Sequence, residues 1–266
     1  MFKLRDWIIE SKLNWNILCS NPHAIGLIET NPDKINWYRL SENPAAIDLI
    51  EKNINSVYEN PFNYVKIKWS YLSENPAATH LLEKHPDRIH WSYLSKNPAA
   101  IHLLEKHPDK IDWAFLSTNP AAIQLLEANP DKIIWTLLST NPAAIHLLEA
   151  NPEKINWAYL STNTAAVPLL EKNLDKVEWC GLSKNPAAVP LLKKNLDKVD
   201  WMLLSENPEA IELLEANQDK IDWFWISCNP SIFEYDYKKM VRPFTEELMQ
   251  SRFHPNNLDK FEDWGF

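Results

Sequence analysis

Residues 113–133 read WAFLSTNPAAIQLLEANPDKI, and the same pattern returns from Trp69, Trp91 and Trp135. Counting the tryptophan as position 1, the unit is W-x-x-L-S-x-N-P-A-A-I-x-L-L-E-x-N-P-D-K-I-x, 22 residues long. Trp157, Trp179, Trp201 and Trp223 continue the period toward the C-terminus, and Trp15 and Trp37 carry it toward the N-terminus. A fixed period of this length marks a repeat array, in which each unit packs on its neighbours.

The unit pattern holds two Asn-Pro pairs, such as Asn119-Pro120 and Asn129-Pro130, with His85-Pro86 and His107-Pro108 at the second place in two units. Asparagine is a strong helix N-cap and proline suits the first helical position, so each pair reads as a helix start. Helix A is expected over about Pro120–Ala128, with Ser117 sharing in its capping. Helix B is expected over about Pro130–Leu138, with Asn129 both ending A and capping B. Helices this short are expected in part as 3₁₀ rather than α. Ile123 and Leu126 or Leu125 form the apolar stripe of A. Each tryptophan sits in an apolar run, as in Ile111, Trp113 and Leu116. It is therefore expected as a core anchor with its indole N–H bonded to a recurring polar group.

The fold class is thus an all-α solenoid of two-helix, 22-residue repeats with capping helices at both ends. Residues 1–14 are read as the N-terminal cap and 15–230 as the array, with about nine full units plus a partial one. Residues 231–266 are read as a C-terminal cap, with a helix opening at Pro243 and a short one near Asn257–Asp263. With about 9–10 Å per unit, the array reads as a curved rod on the order of 90 Å long. Trp37 and Trp69 are 32 residues apart, so the second unit carries a ten-residue insertion around 54–63, expected as a surface loop. Pro168 and Pro190 fall inside helix A, while Leu174 and Leu196 replace the second proline. A helix interrupted by proline starts late, kinks or shortens. The expected result is a local change of curvature, with a hinge as the alternative.

Composition excludes several classes. Net charge is −9, against a general binder of phosphate backbones. The three glycines, Gly26, Gly181 and Gly265, cannot build a phosphate loop, a dinucleotide fingerprint or a nucleophile elbow. Cys19, Cys180 and Cys228 are few and far apart, which fits a reducing compartment. The opening residues hold too short an apolar stretch for a signal peptide, and no segment is long enough to span a bilayer.

His80, His102 and His146 share one position of helix A, and His85 and His107 share its end. Equivalent residues of neighbouring units lie about 9–10 Å apart, whereas zinc needs ligands at about 2.0–2.3 Å. This ladder cannot chelate, so neither metal nor cofactor is expected. The carboxylates repeat along a surface instead of converging in a pocket, so no catalytic residue is assigned. Glu83, Glu105, Glu127 and Glu149 read as solvated ladders with modest pairing between units.

The unit and the closing stretch FEYDYKKMVRPFTEELMQSRFHPNNLDKF (233–261) together resemble the short-repeat proteins of giant DNA viruses of the mimivirus type. The likeness covers nearly the whole chain. It implies a viral origin and brings no catalytic residues. In outline the unit is also similar to other short-helix solenoids, such as leucine-rich variant repeats.

What remains is a face whose character changes along the array. Positions 12 and 16 of helix A are four apart and share a side. They give a candidate protein-binding stripe of Asp48, Lys52, His80, Lys84, His102, Lys106, Gln124, His146 and Glu212. The expected function is a non-enzymatic scaffold for an unidentified protein partner, in the host cytoplasm, with no role in nucleic-acid or membrane binding. The alternative is a structural or packaged virion component.

Overall fold

The computed structural model describes residues 2–59 and 67–237, together with Lys239 and Val241. Each unit contains two runs of helix, but their boundaries differ from the sequence reading. In the unit of Trp135, an α-helix spans Trp135–Leu138. A 3₁₀ turn at Pro142–Ala144 runs into an α-helix over Ile145–Ala150, and a second 3₁₀ turn spans Pro152–Lys154. The array is therefore an all-α solenoid built of very short α and 3₁₀ pieces.

Helix A forms as expected. Asn141 lies in extended backbone and its side-chain oxygen accepts the Ala143 N–H at 3.0 Å, which is the N-cap the Asn-Pro pair promised. Helix B does not run through. After the turn at Pro130–Lys132 the chain is extended at Ile133 and Ile134. The Ile134 N–H goes to the Ser117 hydroxyl at 3.0 Å, and that hydroxyl donates to the Trp113 carbonyl at 2.7 Å. Ser117 thus diverts the backbone out of the helix rather than capping helix A. Asn129 does not cap either. Its amide donates to the Leu125 carbonyl at 2.9 Å and closes the end of helix A. The cap of the tryptophan helix is the residue just before the tryptophan, as where Asp112 accepts from Ala114 and Phe115.

Neighbouring units are joined by one repeated device. The amide of Asn141 donates to the carbonyls of Ser117 and Asn119 in the unit before, both at 3.0 Å. Ten asparagines occupy this position, from Asn21 to Asn229, all buried. Leucine and alanine complete the core between them, as Leu138, Ala144 and Leu148 do. Burial of these amides is tolerable because donor and acceptor atoms are both used.

The same device closes the chain on itself. Asn21 of the first unit donates to the carbonyls of Ser227 and Asn229 in the last, at 3.1 and 2.9 Å. The Asn14 N–H reaches the Ser227 hydroxyl at 2.8 Å. Strand β1 (Phe2–Leu4) pairs antiparallel with strand β2 (Phe233–Tyr235), with Lys3 opposite Glu234. Residues 1–14, read from sequence as a helical cap on a free edge, instead supply β1 and a 3₁₀ turn at Glu10–Lys12. That turn stands where Pro-Asp-Lys stands elsewhere, so Glu10–Asn14 completes the unit begun by Trp223. The molecule is a closed ring of ten units, not an open rod.

The tryptophans are half-buried and pack on the core with one side only. Seven of the ten carry a lysine from the turn that follows helix A, and Trp69 and Trp91 meet His85 and His107 instead. Lys154 stands 4.1 Å over Trp135 and Lys220 stands 4.3 Å over Trp201. Lys12 repeats the arrangement over Trp223 at 4.8 Å, across the closing seam. Among the described residues, the expected bond from the indole N–H of the repeat tryptophans to a recurring polar group is not found. Trp135→Ala is accordingly expected to cost about 2–3 kcal/mol, at or below the low end for buried aromatics. Lys154→Ala is expected to cost about 0.5–1 kcal/mol through the lost cation–π contact. Urea unfolding of both variants checks the ratio.

The irregular units keep the frame. Pro168 and Pro190 are the second residues of α-helices Val167–Glu171 and Val189–Lys193. A first-turn N–H has no intrahelical partner to lose. Around them Asn185 and Asn207 bond to the preceding units at 2.9–3.1 Å, as elsewhere. The joints between units are therefore kept at both prolines. In the second unit helix A lengthens to Ile47–Glu59, so the first part of the insertion is helical and not loop. The rest of the insertion and the expected helices after Pro243 lie outside the described residues.

Candidate functional site

Two surfaces of the ring carry variable residues. The first is the predicted stripe. All nine of its residues are exposed, and several pair with the glutamate at position 15 of the unit before. Lys84 and His80 lie 2.9 and 3.7 Å from Glu51. His102 meets Glu83 at 2.9 Å, His146 meets Glu127 at 2.8 Å, and Lys193 meets Glu212 at 3.6 Å. The stripe is therefore a belt on helix A, laced by exposed ion pairs worth little individually. The Lys84 ammonium holds the Glu51 carboxyl below its ordinary range.

The second surface was not read from the sequence. Tryptophan helices of neighbouring units pack more closely than the helices that begin at position 11, which places the former on the inner circumference. A contact across an intervening unit agrees. The Lys184 ammonium of the eighth unit lies 5.9 Å over Trp225 of the tenth, a reach possible only on the concave side. Ten helices spaced by about 9 Å set their axes about 14 Å from the ring centre, leaving a bore on the order of 15–20 Å across.

Positions 3 and 6 of these helices line the bore. On one side Tyr71 meets Tyr38 with ring centroids at 4.8 Å, Tyr93 at 5.9 Å follows, and Phe115 lies 5.9 Å beyond Tyr93. The hydroxyls of Tyr38 and Tyr71 are 2.7 Å apart. That bond, with burial, pushes the Tyr71 phenol up to about 12. Glu42 takes both oxygens to Arg39 at 3.3 Å, yet burial raises its carboxyl above the ordinary range. Glu74 pairs with Lys96 at 3.4 Å. Across the bore Lys184 pairs with Glu206 at 3.1 Å, and burial pushes the Cys228 thiol up to about 12. Such a thiol stays protonated at neutral pH and is a poor nucleophile.

A cavity of about 570 Å³ opens on this wall between Tyr71, Tyr93, Glu42, Glu74 and Lys96. Its carboxylates are each engaged by a cation, Glu42 by Arg39 and Glu74 by Lys96. Among the described residues no group of three or more His, Cys, Asp or Glu side chains is placed to hold a metal ion. No helix among them is long and apolar enough to cross a membrane. The aromatic row was present in the sequence as Tyr, Tyr and Phe at position 3 of the third, fourth and fifth units. It gained meaning only when ring closure turned position 3 inward. Comparison with protein-family models, with curated proteins and with solved structures finds no match to this chain.

Proposed function

We propose that the ring is a non-enzymatic scaffold for protein–protein interaction, docking its partner on the belt of positions 12 and 16. The observation that carries this reading is the division of labour within each unit. Asparagine at position 7 is buried throughout and always donates to the unit before, to two carbonyls in eight units and to one at Asn75 and Asn119, whereas the belt is exposed and changes from Asp48/Lys52 through His102/Lys106 to Glu212. A rigid frame with a varied surface suits recognition, because little ordering entropy is lost on binding. The resemblance to repeat proteins of giant viruses supports a viral origin and action in the host cytoplasm.

The test is affinity capture from infected cells with the native chain and with His80, Lys84, His102 and Lys106 changed to alanine. These exposed changes should leave the fold intact and remove a specific host protein from the captured set. Identical captured sets would refute docking on the belt. High abundance in purified particles, with no host protein captured, would make the chain a structural virion component instead.

A further inference from the structure

The bore wall contains an ammonium site filled by a lysine of the chain, and beside it, one unit back, a cavity with the same kinds of group that receives no lysine from its own unit. In the fourth unit the Lys96 ammonium stands 4.7 Å over Phe115 and 5.7 Å over Tyr93, and pairs with Glu74 of the unit before at 3.4 Å. The environment is thus two aromatic rings from adjacent units and a carboxylate from the preceding one. Both elements attract a cation, the rings through their quadrupole and the carboxylate through its charge.

Moving this arrangement back by one unit gives Tyr93 for Phe115, Tyr71 for Tyr93 and Glu42 for Glu74. All three replacements are present. The missing member is a lysine from the third unit itself, whose position 6 is Glu74; Lys96 of the fourth unit borders the space from its far side, 5.7 Å over Tyr93 and 3.4 Å from Glu74. The 570 Å³ cavity lies at this place. Its rings are held edge to face, with Tyr71 fixed by the Tyr38 hydroxyl at 2.7 Å. Arg39 approaches Glu42 along its own helix, as an i,i+3 pair. A carboxylate offers about four lone-pair positions, so Glu42 and Glu74 retain acceptor capacity toward the cavity.

We propose that this cavity binds an organic ammonium group, seated over Tyr71 and Tyr93 between the carboxylates of Glu42 and Glu74. The chemistry is that of an alkylated amine, whether on a free small molecule or at the end of a lysine side chain of another polypeptide. The site does not depend on the outer belt docking a protein.

Calorimetric titration of the full chain tests this with choline, with its uncharged carbon counterpart 3,3-dimethylbutan-1-ol, and with Nα-acetyl-lysine N-methylamide. Saturable millimolar binding of choline or of the lysine probe, but not of the alcohol, is expected. The tighter of the two charged probes identifies the source of the ammonium. Tyr71→Leu should weaken binding roughly fivefold to thirtyfold, as loss of a partly desolvated cation–π contact implies. Glu74→Lys is the more searching variant. It recreates the Lys96 arrangement in the third unit, where the lysine should fill the cavity and abolish binding while the melting temperature is kept. Tyr159→Leu, elsewhere on the inner wall, should change nothing. Absence of binding by both charged probes, equal binding of the alcohol, or undiminished binding by the folded Glu74→Lys protein would each overturn the proposal.

Discussion

Replacing Asn141 with alanine is expected to destabilise the ring by about 4 kcal/mol, among the largest effects of any single substitution in the array. The side chain is fully buried and makes three hydrogen bonds, donating to Ser117 and Asn119 and accepting from Ala143. Asn119 keeps a second donor for its carbonyl in the Ala122 N–H. The Ser117 carbonyl and the Ala143 N–H would each be left buried without a partner. A stranded group of this kind costs about 1–3 kcal/mol, and loss of the helix N-cap falls within the same sum. Asn151, ten residues on, makes a single bond to Leu147 at 2.9 Å and is only half-buried. Asn151→Ala should therefore cost about 1 kcal/mol. Urea unfolding of the two variants separates them; equal destabilisation would remove the buried amide from its place as the joint between units.

Removal of residues 2–14 should have a comparably large effect, and one of a different kind. That segment buries Ile8 and Leu13, worth about 4 kcal/mol together. It also supplies the β1–β2 pairing, the Arg5 bond to the Ser231 carbonyl at 2.8 Å and the Asn14 bond to Ser227. Without it the last unit loses its second half, and the polar contacts left across the seam are those of Asn21 and of His23, whose ring nitrogen lies 2.9 Å from the Pro230 carbonyl. The truncated ring is expected to open or to pair with a second copy, since each exposed edge is complementary to the other. Sedimentation would report either change. A truncated chain that stayed monomeric, compact and as stable as the full one would mean that the seam contributes nothing.

Much of this architecture was legible in the sequence. The 22-residue period set the unit length, the first Asn-Pro pair marked a true helix start, and the glutamates at position 15 indicated the exposed ladder that Glu83 and Glu127 form with histidines. The second helix was misread because Pro130 and Trp135 both lie on a plausible apolar helix. Only the Ser117 hydroxyl, seventeen residues before the Ile134 N–H that it accepts, explains why the chain is extended between them. The asparagine or aspartate before many of the tryptophans was the overlooked sign that a new helix begins there, as Asp200 and Asp222 show. Ring closure was harder to see. It requires about 36° of turn per unit, which arises from a small difference in spacing between inner and outer helices. That difference has no periodic signature. One clue existed, since ESKLNW at residues 10–15 follows the pattern of PDKINW at 32–37 while the last unit lacks this half. The inner aromatic wall stayed hidden for the same reason, because nothing directs Tyr71 and Tyr93 toward a common space until the ends meet.

The closed ring is tested most directly by a pulsed-EPR distance between spin labels at Glu29 and Glu215, in a chain carrying Cys180→Ser and Cys228→Ser. Both glutamates are exposed and occupy position 15, in the first and ninth units. In the ring those units are two steps apart through the seam, and the expected distance is about 20–30 Å. In an open solenoid they are eight steps apart, and a distance of about 70–80 Å would contradict closure.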